Sequence, residues 1–211
     1  MRSLATTKLN KNLIVSALVG GALSFSAGIA SAVTVVFTPL AIADLDGMTP
    51  TANPSPSSTT PVFLDNVAGN QSSGGTLVAR TPWEGSIWED TGAFSSVQAG
   101  GSATFTFAGE QDGLSLIWGS PDDYNDLTIT LTGGGGGTVS INGADVQGPV
   151  GELASLVIIK DVLFSSVLFE SSTNAFEFAN LTPSPVPLPA GVFLMGTAIA
   201  GFGVMRRRKK K

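Results

Sequence analysis

The sequence predicts an all-β fold: a β-sandwich or jelly-roll domain held between an N-terminal signal peptide and a C-terminal single transmembrane helix. Three observations predict it. Short runs rich in Val, Ile, Phe and Thr recur at roughly ten-residue intervals, broken by Gly, Asn, Asp and Ser. Thr104-Phe105-Thr106-Phe107 and Thr128-Ile129-Thr130-Leu131 alternate with a period of two, so each presents one apolar face. Uncharged apolar stretches flanked by clustered cations stand at both ends of the chain.

The strand-like runs are, in order, "PVFLDNV", "SATFTFAG", "LSLIWG", "LTITLTG", "GTVSINGADV", "SLVIIKDV", "SSVLFES" and "NAFEFANL". Regular short strands with turn signals between them favour two packed sheets, although the spacing alone does not separate a sandwich from a barrel. No apolar helical repeat of three turns occurs between Val33 and Thr182. Residues 49–61, "TPTANPSPSSTTP", have neither periodicity nor bulk and read as a linker or long surface loop. A second linker, "TPSP", covers residues 182–185. Gly133 to Gly137 form an unbroken glycine run between two strand-like segments. A phosphate loop needs a following helix and usually a lysine. Here β-prone residues follow, and a hairpin loop is expected.

Charge is segregated along the 211 residues. Nine of the eleven cations lie in the first eleven or last six residues, leaving Arg80 and Lys160 between them. All sixteen acids fall between Asp44 and Glu177, so this middle region has a net charge of −14 from two cations and sixteen acids. Such a surface repels nucleic acid and anionic lipid. There are no cysteines and no histidines. Disulfides, thiolate metal sites, Ser-His-Asp and Cys-His catalysis and the usual zinc sites are thereby excluded.

The two ends read as addresses. Residues 1–32 carry three cations, then the apolar run "LIVSALVGGALSFSAGI", then Ala30-Ser31-Ala32. That is the plan of a secretory signal peptide, with Ala30 and Ala32 in the small-residue positions and a mature chain beginning at Val33. At the far end, Leu188 to Met205 are eighteen residues without a charge. At ~1.5 Å per residue they reach about 27 Å, the short end of a membrane-spanning helix. Arg206, Arg207, Arg208, Lys209, Lys210 and Lys211 follow, and clustered cations remain cytoplasmic, so the acidic domain points outward.

Val186-Pro187-Leu188-Pro189-Ala190, followed by an apolar helix and a terminal basic cluster, resembles the VPLPA variant of the PEP-CTERM sorting signal. The resemblance covers roughly the last 26 residues of the chain. It implies recognition by an exosortase, a membrane-embedded protease of Gram-negative bacteria thought to cut near the proline motif. The helix would then be a transient anchor, as in a GPI signal, whose hydrophobic tail is also removed. The two prolines keep the helix from running into the motif and leave an extended peptide for a protease.

Two candidate binding features lie in the middle region. "WGSPDDYNDL", Trp118 to Leu127, is the densest polar cluster. Asp122, Asp123 and Asp126 could supply oxygens to calcium, though the EF-hand spacing is missing. The alternative is a turn in which Asp and Asn bond their own backbone. Trp83 and Trp88, in the loop-like "TPWEGSIWED" beside Glu84 and Glu89, could stack on a saccharide if exposed. Core burial is expected for Trp118, which follows Leu116 and Ile117. "LIWGSPDDYNDLTI" also resembles the "WGS-D-YN-L" core of exosortase-dependent surface proteins. That loose likeness extends over roughly Arg80 to Leu181, implies a β-rich exported domain and brings no catalytic residue.

The expected organisation is therefore a signal peptide (1–32), a β-rich extracellular domain (33–181), a linker (182–185) and a sorting signal (186–211). The expected protein is not an enzyme and needs no cofactor, calcium excepted. It is exported, held briefly in the inner membrane, and then placed at the cell surface or outside it, with a structural or matrix role. Its expected partners are signal peptidase, exosortase and the membrane. The alternative is a carbohydrate-binding module that takes polysaccharide, with calcium assisting. Nucleic acid is not an expected partner.

Overall fold

The computed structural model describes residues 33–60, 62–132, 136–146 and 153–186. The described chain is all-β. Eleven strands run in order as β1 (Thr34–Leu40), β2 (Ser58–Thr59), β3 (Phe63–Val67), β4 (Gln71–Ser73), β5 (Thr76–Ala79), β6 (Phe94–Val97), β7 (Gly101–Gly119), β8 (Asn125–Leu131), β9 (Thr138–Asn142), β10 (Ala154–Ser171) and β11 (Phe176–Pro185). Two short helices, α1 (Ile42–Asp46) and α2 (Gly143–Val146), interrupt them.

Nine strands form one sheet along the path β3-β6-β11-β7-β10-β8-β9, with β1 added on β10 and β2 on β7. All its pairings are antiparallel. β4 and β5 make a separate hairpin. The two longest strands organise everything else. Gly113–Gly119 of β7 pairs with Ala154–Lys160 of β10, whereas Gly101–Thr106 pairs with Ser166–Ser171. The register shifts twice between these stretches, and Asp161 adopts φ 62°. Such irregularities bend a strand and let it serve two sheet regions. β1 and β11 attach to the first stretch, and β2 and β8 to the second.

The sequence showed each of these long strands as two short ones. "SATFTFAG" and "LSLIWG" are a single β7, and "SLVIIKDV" and "SSVLFES" a single β10. The intervening Gly109, Asp112 and Gly113 resemble turn residues locally, yet they lie where a continuous strand bends.

The core fills the space between the two stretches. Phe105 and Phe169 come from the second, and Trp118, Phe176 and Phe178 from the first. Phe169 stacks on Phe178 at 4.1 Å between centroids and meets Phe176 edge-on at 5.2 Å. Trp118 stacks on Phe176 at 4.2 Å, so it is buried as its apolar neighbours implied. A second apolar cluster covers the opposite face of the first stretch, where Ile117, Ala175 and Ala179 pack against Leu40, Leu45, Trp83 and Phe94.

Of the two expected linkers, residues 49–60 are mostly exposed loop, one of the two alternatives, but tied to the sheet, whereas the 182–185 linker is corrected to strand. Within residues 49–61, Ser58–Thr59 pairs with β7, and Asn53 is 5% exposed. Asn53 Nδ2 donates to Ser95 Oγ and to the Phe178 carbonyl, while its Oδ1 accepts the Leu181 N–H. A segment without periodicity is thus pinned by one buried amide rather than by an apolar face. Residues 182–185 are the end of β11, paired with β7 through Pro185. Of β11, only Phe176–Phe178 pairs with β6, so among the described residues the other edge of its end is unpaired and tolerates Pro183 and Pro185. The glycine run joins two antiparallel strands, β8 and β9, as a hairpin would. Leu131 N donates to the Gly137 carbonyl at 2.9 Å, and Gly136 and Gly137 have positive φ. Residues 133–135 lie outside the described ones.

Candidate functional site

The sequence-predicted residues do not converge. Trp83 is fully buried, and its Nε1 donates to the Ala93 carbonyl at 3.1 Å. Its ring fills the second apolar cluster and lies over Gly92. Trp88 packs partly buried on the same cluster. The condition set for saccharide stacking, exposure of both rings, is therefore not met: residues 80–92 fold back on the sheet because burying indole removes a large apolar area from water. The loop is fixed by Ser86 Oγ donating to the Trp83 carbonyl at 2.6 Å, Gly85 N to Glu89 Oε2 at 2.9 Å and Ile87 N to Asp46 Oδ1 at 2.8 Å.

The three aspartates of the expected calcium cluster take separate partners. Asp122 Oδ2 accepts the Tyr124 hydroxyl at 2.7 Å. Asp126 Oδ1 accepts Asn142 Nδ2 at 2.9 Å, and the Asp123 side chain is exposed. Asn125 N donates to the Asp122 carbonyl at 3.1 Å, which closes a turn. Buried Asn125 also accepts from Ser171 Oγ at 2.6 Å and donates to the Ala175 carbonyl at 3.1 Å. Among the described residues, no group of three acidic side chains is placed to hold a metal ion.

Of the targeting residues, Val33 is described and is 4% exposed. Val186 is exposed, and its N–H donates to the Glu110 carbonyl at 3.1 Å. Ala30, Ala32, Pro187, Leu188, Pro189, Ala190 and Arg206 to Lys211 lie outside the described residues. Among the described residues, no helix is long and apolar enough to cross a membrane.

The structure brings together a polar cleft that the sequence did not single out. It holds about 230 Å³ between β5, the β7–β8 connection and the start of β11. Its polar walls are Arg80, Ser120, Asp122, Tyr124, Asn174 and Glu177. Glu177 sits between Phe176 and Phe178, whose rings enter the aromatic core, so alternation turns its carboxyl to the opposite face. There residues 80–92 cover it, and it is only 3% exposed.

Glu177 Oε1 accepts the Arg80 backbone N–H at 3.0 Å, while Oε2 has no hydrogen-bond partner. The Arg80 guanidinium, whose Nε lies 3.0 Å from Glu84 Oε2, compensates only weakly, pulling the carboxyl down less than the other contributions shift it. Burial pushes the Glu177 carboxyl up to about 8, against the opposing pull of its backbone donors, and Asp122 pushes it the same way. Burial also raises the Tyr124 hydroxyl, reinforced by its hydrogen bond to Asp122. The one Tyr124 proton faces two acceptors, Asp122 Oδ2 and the Asn174 carbonyl at 3.1 Å. The cleft is thus rich in acceptors and poor in donors. The signals for it were Arg80, one of two internal cations, and an acid between two phenylalanines in "NAFEFANL".

No protein family, no curated protein and no solved structure that was compared with the chain matches it.

Proposed function

We propose that this chain is an exported, exosortase-processed extracellular or cell-surface protein, with a structural or matrix-associated role and no catalytic activity of its own. The carrying observation is the C-terminal "VPLPAGVFLMGTAIAGFGVMRRRKKK", in which motif, apolar segment and cations stand in sorting-signal order. The A-x-A pattern at Ala30 and Ala32 supports entry into the secretory route. A compact acidic β domain between the two addresses is the cargo, and we read its bent sheet as a β-sandwich in which β7 and β10 cross from one layer to the other.

In this reading the basic cluster halts translocation and the helix holds the chain in the membrane. Exosortase then cuts near Val186 to Ala190. Signal peptidase and exosortase are the processing partners. The lectin-like reading built on Trp83 and Trp88 is not carried forward, because both indoles are occupied in packing.

Intact mass of the protein recovered from its native host tests the proposal. The expected species begins at Val33 and lacks the six terminal cations. Surface-exposed protein that retains both Met1 and Lys211 would overturn it.

A further inference from the structure

We propose that the cleft between Arg80, Asp122, Tyr124, Asn174 and Glu177 binds a small organic ligand through a primary ammonium group. The inference is independent of how the chain is exported.

The first argument is the count of donors. Glu177 is 3% exposed, and its Oε2 has no partner. A buried polar oxygen without a partner is costly in either protonation state, and once ionised it calls for a donor, so such an atom at a cleft floor points to a ligand. The Tyr124 proton can satisfy Asp122 or the Asn174 carbonyl but not both. Ionised Glu177 Oε2 therefore lacks a donor, and the Tyr124 proton is shared between two acceptors. An ammonium supplies three donors and no acceptor, which matches this deficit better than a hydroxyl, whose oxygen brings lone pairs of its own.

The second argument is charge. The cleft holds two carboxyl groups and one cation, and that cation lies against Glu84. The groups facing Glu177 are Arg80 from the covering loop and Asp122 and Tyr124 from the β7–β8 connection. β6, at Phe94–Val97, adds none. A positive group is therefore favoured over an anionic or neutral one. Calcium would need six to eight oxygens, and no group of three acidic side chains converges among the described residues.

The third argument is size. About 230 Å³ equals roughly eight waters at ~30 Å³ each, room for a small molecule or one amino-sugar ring. On binding, the Glu177 carboxylic acid loses its proton to solvent and the carboxylate pairs with the ammonium. Affinity then rises about tenfold per pH unit while free Glu177 stays protonated.

The test uses the full chain in detergent micelles with the Glu177 side-chain carboxyl carbon observed by NMR. The probes are methylammonium against methanol and glucosamine against glucose, with calcium chloride alongside. The expected result is that an amine, and not its neutral counterpart, moves the carboxyl signal to the ionised position. Its apparent Kd should tighten about tenfold from pH about 6 to about 7. Glu177→Gln should abolish the response, Asp122→Asn should weaken it about tenfold, and Glu110→Gln, at an exposed site outside the cleft, should retain it. A response to both amines supports recognition of the ammonium alone, and a response to glucosamine only narrows the ligand to an amino sugar. Equal responses to amine and neutral probe, binding of calcium in their place, unchanged binding in Glu177→Gln, no binding at all, or Glu177 already ionised at pH about 6 in the free protein would each overturn the proposal.

Discussion

Arg80 meets Glu177 more through its backbone than through its charge: the Arg80 N–H donates to Glu177 Oε1 at 3.0 Å, while its guanidinium lies beside Glu84. The nearest cation thus leaves the carboxyl as a buried acid.

This arrangement makes stability depend on pH. The Glu177 carboxyl is raised from 4.5 to about 8, so the folded state holds its proton more tightly than the unfolded chain. The resulting stabilisation is complete below about 4.5, declines as pH rises, and is gone above about 8. The slope within that window approaches about 1.4 kcal/mol per pH unit. Urea denaturation of the wild type should show it, and Glu177→Gln, which does not titrate, should flatten it. A wild-type profile as flat as the variant's would refute the assignment.

Gly92 is expected to tolerate no side chain. A Cβ there would lie 2.7 Å from Trp83 Cγ, against a fully buried ring. Gly92→Ala should cost about 1–3 kcal/mol, the usual range for overpacking. The midpoint of denaturant unfolding, with unchanged slope, measures it. A shift equal to that of an exposed control such as Gly109→Ala would mean the loop yields freely.

Asn53 should be as sensitive as a core residue despite its polar, proline-rich surroundings. It serves Ser95, Phe178 and Leu181 with one amide. Asn53→Ala leaves the buried Leu181 N–H without that acceptor, and the loss should be roughly 2–4 kcal/mol. Amide exchange at Leu181 should speed up in the variant; unchanged protection there would contradict the account.

The terminal cations carry an expectation about processing. Replacing Arg206 to Lys211 with neutral residues would remove the proposed cytoplasmic retention signal. The variant should leave the cell with its apolar tail uncut, which mass analysis of the medium detects. Normal maturation of this variant would show that the cations are incidental.

The strand content was legible because apolar alternation survives in short windows, as in Thr104 to Phe107. The burial of Trp118 was legible for the same reason. What escaped was long-range. Gly109 and Gly113 carry the same local signal at a strand bend as at a turn, so β7 read as two strands. Asn53 and Trp83 lie in stretches with turn-like composition, and their burial comes from sheet residues far along the chain. Alternation placed Glu177 opposite Phe176 and Phe178, but whether that face meets water depends on residues 80–92 folding over it. The polar cleft is the product of that cover, and no local pattern encodes it.

The last of the described strands is an interior strand of the sheet, since β11 lies between β6 and β7. If the chain is threaded outward from its N-terminus, as proposed, it cannot close this sheet until residue 185 has emerged, by which time the apolar segment would be entering the translocation channel. Ser95–Val97 of β6 and the Gln111–Gly119 end of β7 must wait for a neighbour made late, so this long-range pairing is deferred until β11 is available. Under the proposed export route, completion of the domain and arrival of the apolar segment would then fall at nearly the same moment. A product stalled a few residues short would remain open and exposed to proteolysis before it could be sorted.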